Sequence, residues 1–229
     1  MLVGTCGFPV ARRKYFEQFK VVEIQKTFYT PISPELARKW RKEAPPDFEY
    51  TLKAPQTITH ESNSPTYRRY RGPKGRFGRF RVNEDTMKSW EKFVEVAKIL
   101  RAKIVIFQSP PSFSEKKENV DNIINFFSTI EKDFIYGWEP RGKWRDETIK
   151  KICRDLDLIH VVDPFLSKKL HGSVSYFRLH GKGSYRYRFT DDDFIYLRRI
   201  TREGDYVMFN NVHMWEDALR FKKFEGDSS

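Results

Sequence analysis

Short apolar runs typical of strands alternate with amphipathic stretches typical of helices along the whole chain. We predict eight strands, at residues 2–8, 21–29, 48–55, 103–111, 133–140, 158–164, 174–181 and 205–211. We predict helices near 14–19, 33–44, 84–102, 119–130, 146–157, 190–201 and 215–224, with Ser33 and Thr190 as N-caps of two of them. Strands that each precede a helix pair in parallel, because a parallel connection needs a crossover that a helix provides.

Eight strand–helix units favour a closed barrel. We predict an α/β fold, a single-domain TIM-like (β/α)8 barrel over residues 1–225, with a loop insertion at about 60–83 and a disordered tail at 226–229. The length of 229 residues is slightly below the roughly 250 that is usual for this barrel. An open, doubly wound sheet is the alternative, although the GxGxxG fingerprint of a dinucleotide site is absent from the sequence.

The charge balance points to an anionic partner. The chain has 43 Lys and Arg against 31 Asp and Glu, a formal net charge of +12, and such an excess favours nucleic acid first. A charge-rich surface of the thermophilic kind is the alternative, but it does not explain the excess of one sign. No run of about 18 apolar residues predicts a membrane span. The absence of a basic leader and the presence of only two cysteines lead us to expect a cytoplasmic location, and no partner protein is evident.

Polar side chains recur near the carboxyl ends of the predicted strands, where barrel enzymes hold their active sites. In "VVEIQKTFY", residues 21–29, the side chains of Glu23, Gln25 and Thr27 alternate onto one face, which we take as the barrel interior. The corresponding residues of other strands are Lys53, Gln108, Glu139, Arg141, Asp163, Arg178, His180, Asn210 and Asn211. We expect them to line one pocket. A buried ionic network that only ties the barrel together is the alternative, since both arrangements look alike in a sequence.

Several of these stretches resemble a known family. The segments "VGTCGF", "VEIQKTFY", "LKAPQTITH", "FQSPPSF", "WEPRGKW", "FRLHGKGSYRYRF" and "FNNVHMWEDALRF" are similar to those of the YecE-like family, domain-of-unknown-function family 72. The resemblance implies a βα barrel and brings no established reaction; a likeness in shape to barrel endonucleases is analogy at the level of the fold. It implies recurring polar residues at Glu23, Thr27, Lys53, His60, Gln108, Glu139, Arg141, Asp163, Arg178, His180, Asn210 and Asn211.

The sequence departs from the family pattern in three places. Cys6 stands where a serine is usual, and Lys26 stands where a small polar residue is common. The stretch "WEPRGKW" has a proline and tighter spacing in place of the common Glu-Phe-Arg-His form, so no histidine role is carried over to that strand. Cys6 is interpreted as a small buried residue rather than a nucleophile, because no basic residue adjoins it in sequence.

The candidate residues suit an anion better than a metal ion. Lys53, Arg141 and Arg178 would repel a cation, and no two histidines form an HxH or HxxxH pair, so we predict neither a metal nor a cofactor. Arginine binds phosphate bidentately and lysine adds a point charge, while the amides of Gln25, Gln108, Asn210 and Asn211 are orientable donors. For a reaction without metal, the candidate acid–base groups are Glu23, Glu139 and His180.

The stretch "TYRRYRGPKGRFGRFR", residues 66–81, is basic, aromatic and free of acidic residues. Its members that we expect on a flexible nucleic-acid loop are Arg68, Arg69, Arg71, Arg76, Arg79, Arg81, Tyr67 and Tyr70. Arginines and rings on one loop suit the phosphates and unstacked bases of a single strand. A solvated lid is the alternative. The segment 181–189 adds a second basic, aromatic loop at the same predicted end.

These features lead to one functional hypothesis and two rivals. The main hypothesis is a barrel whose mouth binds single-stranded or locally unpaired nucleic acid, or another phosphate-bearing ligand. This hypothesis includes an activity that processes phosphodiesters or nucleotides. The first rival is a metal-independent enzyme that acts on a small phosphorylated or sugar-like metabolite and uses the basic loop as its lid. The second rival is a binding module without catalysis. The sequence alone does not decide between them.

Overall fold

In the computed structural model, which describes residues 1–226, eight parallel strands form one sheet. They are β1 (Leu2–Cys6), β2 (Val21–Ile24), β3 (Glu49–Lys53), β4 (Ile104–Ser109), β5 (Ile135–Pro140), β6 (Leu158–His160), β7 (Tyr176–Leu179) and β8 (Tyr206–Phe209). Their order in the sheet is β6-β5-β4-β3-β2-β1-β8-β7. The two end strands meet through a parallel bridge between Val162 and Phe177, and the N–H of Arg178 donates to the carbonyl of Val162 at 2.9 Å. The sheet is therefore a nearly closed barrel, as predicted, and the open-sheet alternative was wrong.

Helices cover the outside of the barrel. Within residues 1–226 they are α1 (Arg12–Gln18), α2 (Lys26–Tyr29), α3 (Pro34–Glu43), α4 (Gln56–Thr59), α5 (Glu84–Leu100), α6 (Lys117–Thr129), α7 (Asp146–Asp155), α8 (Asp191–Ile200) and α9 (Met214–Gly226). The seven predicted helices are all present, with ends that agree within two residues. The hydroxyl of Thr190 and the carboxylate of Asp193 form a capping box on α8, and Ser33 caps α3. None of these helices combines the length and apolar character needed to cross a bilayer.

Side chains alternate between the barrel interior and the helical layer. Val22 and Ile24 of β2 pack with the large outer core, whereas Val21 belongs to a smaller interior cluster with residues such as Ile106 and Met208. This interior cluster also contains Cys6, whose burial raises the pKa of its thiol well above the ordinary value. A buried thiol held in its neutral form is an inert packing group, which agrees with the prediction for Cys6.

The predicted strand at residues 21–29 was wrong beyond its fourth residue. The strand β2 ends at Ile24, and the short helix α2 follows at Lys26–Tyr29. The hydroxyl of Thr27 donates to the backbone carbonyl of Lys53 at 2.7 Å, so the turn is tied to the end of β3. This bond between distant segments overrides the alternation of polar and apolar residues that predicted a longer strand.

The β6–β7 connection and the C-terminal end of α9 differ from the predicted element boundaries. The connection between β6 and β7, residues 161–175, contains no helix in the described structure. This short crossover agrees with a chain that is shorter than is usual for a (β/α)8 barrel. Gly226, which was assigned to a disordered tail, is the last residue of α9. Residues 227–229 of that predicted tail lie outside the described residues.

Candidate ligand site at the carboxyl end of the barrel

Arg178 lies at the centre of the polar barrel interior. Its side chain, 1% exposed, binds the carboxylate of Glu23 through two nitrogens, at 2.9 Å and 3.1 Å. The same guanidinium binds the carboxylate of Glu139 at 2.5 Å. Both carboxylates are buried, and a buried carboxylate needs a cation or several donors to stay ionised. A single arginine thus joins the acidic residues of β2 and β5 across the barrel.

Other strands complete this interior network. The amide of Gln25 donates to Glu23, and the amide oxygen of Gln108 accepts from Arg178 at 3.2 Å. The hydroxyl of Tyr176, two residues before Arg178 on β7, donates to Glu23 at 2.9 Å. Residues that the sequence placed at separate strand ends therefore meet in one cluster. The ionic network that stood as the alternative is present.

Tyr176 was missed in the sequence, although a usable signal existed. Residues i and i+2 of a strand face the same side, so the assignment of Arg178 to the interior also places Tyr176 there. Its hydroxyl lies 2.6 Å from that of Thr51, another buried polar residue that was not singled out.

The electrostatics assign a definite state to Glu139. Burial by itself would raise the pKa of this carboxyl, but the positive charges of Arg178 and Arg141 lower it to about 2. Glu139 is therefore ionised at neutral pH and can accept a proton but has none to donate. The predicted role of an acid is incompatible with this state, and so low a pKa makes Glu139 a weak base.

The side chain of His180 lies between the guanidinium of Arg141 and the carboxylate of Asp163. A nitrogen of Arg141 lies 2.7 Å from Nε2 of His180, and the same nitrogen lies 2.5 Å from Glu139. The carboxylate of Asp163 accepts from the backbone N–H of His180 at 2.9 Å and lies 3.3 Å from Nδ1. Arginine can only donate, so Nε2 is the acceptor of this hydrogen bond. The exposed ring of Tyr185, which belongs to the second basic, aromatic loop predicted at residues 181–189, packs edge-on against this imidazole.

Lys53, the last residue of β3, differs from the other interior cations. Its side chain is 5% exposed, and its amine lies 3.7 Å from the centre of the Phe28 ring. No hydrogen bond or ion pair joins this amine to any of the residues described. Burial, and then the positive charge of Arg178, lower the pKa of Lys53 to about 7. A substantial fraction of the molecules therefore carries a neutral amine at neutral pH.

His60 lies beside the same aromatic ring. Its imidazole packs edge-on against Phe28 with ring centres 5.0 Å apart, and its Nδ1 lies 2.7 Å from the hydroxyl of Thr59. Burial and the charge of Lys53 lower the pKa of His60 to about 3, so its ring is uncharged at neutral pH. The resemblance to the family was the only signal for this residue in the sequence.

Two predicted ligand-binding side chains are already used by the fold. The amide of Asn211 donates to the carbonyl of Tyr187 and to the carboxylate of Asp217, and the hydroxyl of Thr27 donates to the backbone of β3. Neither side chain has a donor left for a ligand, because the fold already uses them. The side chain of Asn210 is half-buried, and its backbone N–H donates to the carbonyl of Leu179.

The predicted basic loop, residues 66–81 of the insertion at about 60–83, is folded, whereas the sequence led us to expect a flexible loop. The rings of Tyr67, Tyr70 and Phe77 pack against one another, with centres 5.2 to 6.4 Å apart. The hydroxyl of Tyr67 donates to the carbonyl of His60, and the chain returns at Gly78 with a φ of +93°. A side chain at Gly78 would meet the backbone of His60 at 2.5 Å, so this position requires glycine. The expected role of Tyr67 and Tyr70 as base-stacking residues is weakened, because their rings stabilise the loop itself.

The charges of this loop fall into two groups. Arg79 and Arg81 bind Glu61, at 2.8 Å and 3.1 Å. The other cations of the loop are exposed, and Arg76 lies 3.8 Å from Asp85. The remaining four have no carboxylate partner within residues 1–226; they are Arg68, Arg69, Arg71 and Lys74. Arg69 lies over the ring of Tyr29, the residue that ends α2.

A cavity of about 660 Å³ adjoins this loop. Its lining includes Tyr70, Lys74, Phe77, Ile32 and Phe93, so it lies between the loop, the segment before α3 and helix α5. Within residues 1–226, no group of three or more His, Cys, Asp or Glu side chains is placed to hold a metal ion.

The fold has counterparts among solved structures. A DUF72 family protein from Enterococcus faecalis is 19% identical over 98% of this chain and 97% of its own, with a TM-score of 0.76. A D-tagatose 3-epimerase-like protein (15% identical, 99% and 96% covered) gives 0.59. Endonuclease IV from Thermus thermophilus (10% identical, 99% and 100% covered) gives 0.51. At these identities the likeness shows the barrel fold alone.

The sequence comparisons identify the family. No curated protein matches the chain. The family described as "Protein of unknown function DUF72", which is the YecE-like family, matches residues 11–225, nearly the whole chain. The resemblance seen in the sequence motifs is confirmed, and the chain belongs to the DUF72 family.

Proposed function

We propose that the carboxyl end of the barrel binds single-stranded or locally unpaired nucleic acid. One observation carries the proposal: four exposed cations of a single folded loop, Arg68, Arg69, Arg71 and Lys74, have no carboxylate partner among the described residues. Like charges at this spacing repel one another unless an anion lies between them. A nucleic-acid backbone supplies phosphates at regular intervals along such a loop and releases its bound counterions when it binds.

The second basic loop, residues 181–189, also supports nucleic-acid binding at the carboxyl end of the barrel. Arg186 and Arg188 are exposed and have no ion-pair partner in the part of the chain that the structure describes. Tyr185 is 56% exposed and offers a ring on which an unstacked base can lie. Both loops follow strand ends, so both lie at the carboxyl end of the barrel. A cytoplasmic location, expected from the sequence, is part of this proposal.

The polar interior sets the chemistry that is available to a bound nucleotide. Arg141 is partly exposed and is the guanidinium best placed to meet a phosphate, since Arg178 is fully occupied by two carboxylates. Glu139 is ionised, but a pKa of about 2 makes it a weak base, so its role in phosphodiester or nucleotide processing is to position Arg141 against the phosphate.

The loop cations are expected to carry the binding. Replacing Arg68, Arg69, Arg71, Lys74 and Arg76 by serine should weaken the binding of a 20-nucleotide single strand by about 100-fold or more at low salt. The plot of log affinity against log salt should lose about 0.7 in slope for each phosphate contact removed. Fluorescence anisotropy with DNA and RNA strands over a salt series measures both quantities.

A matched variant separates a local effect from net charge. Replacing Lys39, Lys42, Lys150, Arg199 and Lys223, which are exposed on outer helices, removes the same formal charge and should leave affinity within a few-fold of the wild type. If the two variants lost equal affinity for the strand, the effect would be due to net charge and not to the position of the loop cations. An absence of binding by the wild type at low salt would reject the proposal altogether.

The cavity beside the loop favours a second candidate function. A volume of about 660 Å³ lies within the range of roughly 300–1,000 Å³ that is typical of small-molecule sites, and Lys74 lies among its lining residues. A small phosphorylated or sugar-like metabolite would then be the substrate, and the loop its lid. Thermal unfolding with sugar phosphates would decide: a rise in Tm that depends on ligand concentration, without binding of nucleic acid, favours this candidate.

A further inference from the structure

We propose that the amine of Lys53 is a nucleophile that forms a Schiff base with the carbonyl group of a ligand at the barrel mouth. The chemical class of ligand is an aldehyde or ketone, such as the open-chain form of a sugar. The inference rests on the proposed function only for the location of the ligand, because the covalent step needs a carbonyl group and not a polymer.

The fold leaves the amine of Lys53 without a hydrogen bond or ion pair to any of the residues that the structure describes. Lysine is rarely buried without a carboxylate, and Lys53 is the one lysine within residues 1–226 whose side chain is buried. The two nearby carboxylates are already bound to arginine: Glu23 to Arg178, and Glu139 to Arg178 and Arg141. An amine whose only role was structural would be expected to take part in this network.

The surroundings of the Lys53 amine favour its neutral form. The amine lies over the face of the Phe28 ring at 3.7 Å, a contact that by itself attracts a cation, while burial removes water and Arg178 adds positive charge nearby. Both the loss of water and the like charge disfavour the ammonium form, which brings the pKa to about 7. Only the neutral amine attacks a carbonyl group, and enzymes that form Schiff bases activate lysine by desolvation or by a neighbouring cation. Lys182 is a contrast, since its contact with Asp193 raises its pKa.

The proposed step balances without any further reagent. The nitrogen lone pair of Lys53 attacks the carbonyl carbon, a C–N bond forms, and the C=O pair moves to the oxygen, which takes up the proton that the nitrogen loses. The resulting carbinolamine loses water as the nitrogen lone pair forms the C=N bond, so amine and carbonyl give imine and water. The protonated imine carries a positive charge, which the carboxylates of Glu23 and Glu139 can stabilise in the low-dielectric interior. It also withdraws electrons from the adjacent carbon and weakens the bonds to that carbon.

Reductive trapping tests the proposal. The full chain is incubated with glycolaldehyde, or with pyridoxal 5′-phosphate as a phosphorylated aldehyde, and reduced with sodium borohydride; intact mass and peptide mapping locate the adduct. At low aldehyde excess we expect one main adduct, on Lys53. Its initial rate should rise with pH and reach half of its maximum near pH 7, whereas exposed lysines should react increasingly up to about pH 10.

Variants make the outcome decisive. Lys53→Met and Lys53→Arg should both abolish the main adduct, whereas Lys103→Met, at an exposed lysine paired with Glu49, should keep it. An adduct spread over surface lysines, equal in wild type and Lys53→Met, would overturn the proposal. So would trapping at Lys53 with a midpoint near pH 10. Anisotropy of the wild type with a single strand distinguishes this result from the proposed function. If the wild type binds the strand but gives no adduct at Lys53, the Schiff base alone is rejected; if it gives the adduct but binds no strand, nucleic-acid binding alone is rejected.

Discussion

Replacing Arg178 by methionine is expected to lower the free energy of unfolding by about 3–5 kcal/mol at pH 7. The substitution keeps much of the side-chain volume but removes the cation that binds Glu23 and Glu139. Two carboxylates would then remain buried, with hydrogen-bond donors such as Tyr176 but without their shared arginine. Urea unfolding followed by circular dichroism measures the loss.

The pH dependence of this loss has a definite sign. The pKa of Glu139 in the folded protein, about 2, lies below the 4.5 of an unperturbed glutamate. Its contribution to stability is therefore fully present above about pH 4.5 and is lost as the pH falls toward 2. The deficit of Arg178→Met should accordingly shrink between pH 7 and pH 3, because protonation relieves the unpaired carboxylates in the variant.

Two controls separate charge from packing. The triple variant Glu23→Gln, Arg178→Met, Glu139→Gln removes all three charges and should recover most of the lost stability. Arg38→Met, which breaks an exposed pair with Glu35, should cost less than about 1 kcal/mol. If Arg178→Met lost no more than Arg38→Met, the network would not be the element that holds the barrel interior together.

The opposite sign is expected at Lys53. Lys53→Met should be more stable than the wild type at pH 6, and this advantage should shrink by up to about 4 kcal/mol between pH 6 and pH 10. The folded pKa of about 7 lies below the ordinary 10.5, so between these two values the unfolded chain binds more protons than the folded one. The wild type therefore gains stability as the pH rises through this window, and a variant without the amine does not.

Parallel measurements of urea unfolding from pH 6 to pH 10 test this expectation. Lys39→Met, at an exposed lysine of α3 without an ion-pair partner among residues 1–226, is the matched control and should follow the wild-type curve. If Lys53→Met and the wild type gave parallel stability–pH curves, Lys53 would titrate as an ordinary lysine. The basis for its proposed reactivity would then be lost. If Lys53→Met is more stable than the wild type at pH 6, then this lysine lowers the stability of the wild type. Functional groups are often retained at such a cost.

Much of the fold could be predicted from the sequence because the relevant signals are local. The apolar periodicities set the element types, and the caps Ser33 and Thr190 set where α3 and α8 begin. The order of strands and helices then leaves few parallel arrangements, of which the barrel is one. The same periodicity placed Glu23 and Arg178 in the interior, since neither depends on knowing its partner.

What only the tertiary structure decided is which groups meet and which remain alone. Glu23 and Arg178 are separated by 155 positions, and nothing in the chain states that Arg178 binds both carboxylates while Lys53 binds neither. The end of β2, the packing of Tyr67 on Tyr70 and the pairing of Arg79 with Glu61 likewise depend on contacts across loops. Local sequence determines element type because backbone and side-chain preferences act over a few residues. The charge state of a side chain, and whether it has a hydrogen-bond or ion-pair partner, depend on burial and on distances between remote segments. Both are set only once the barrel has closed.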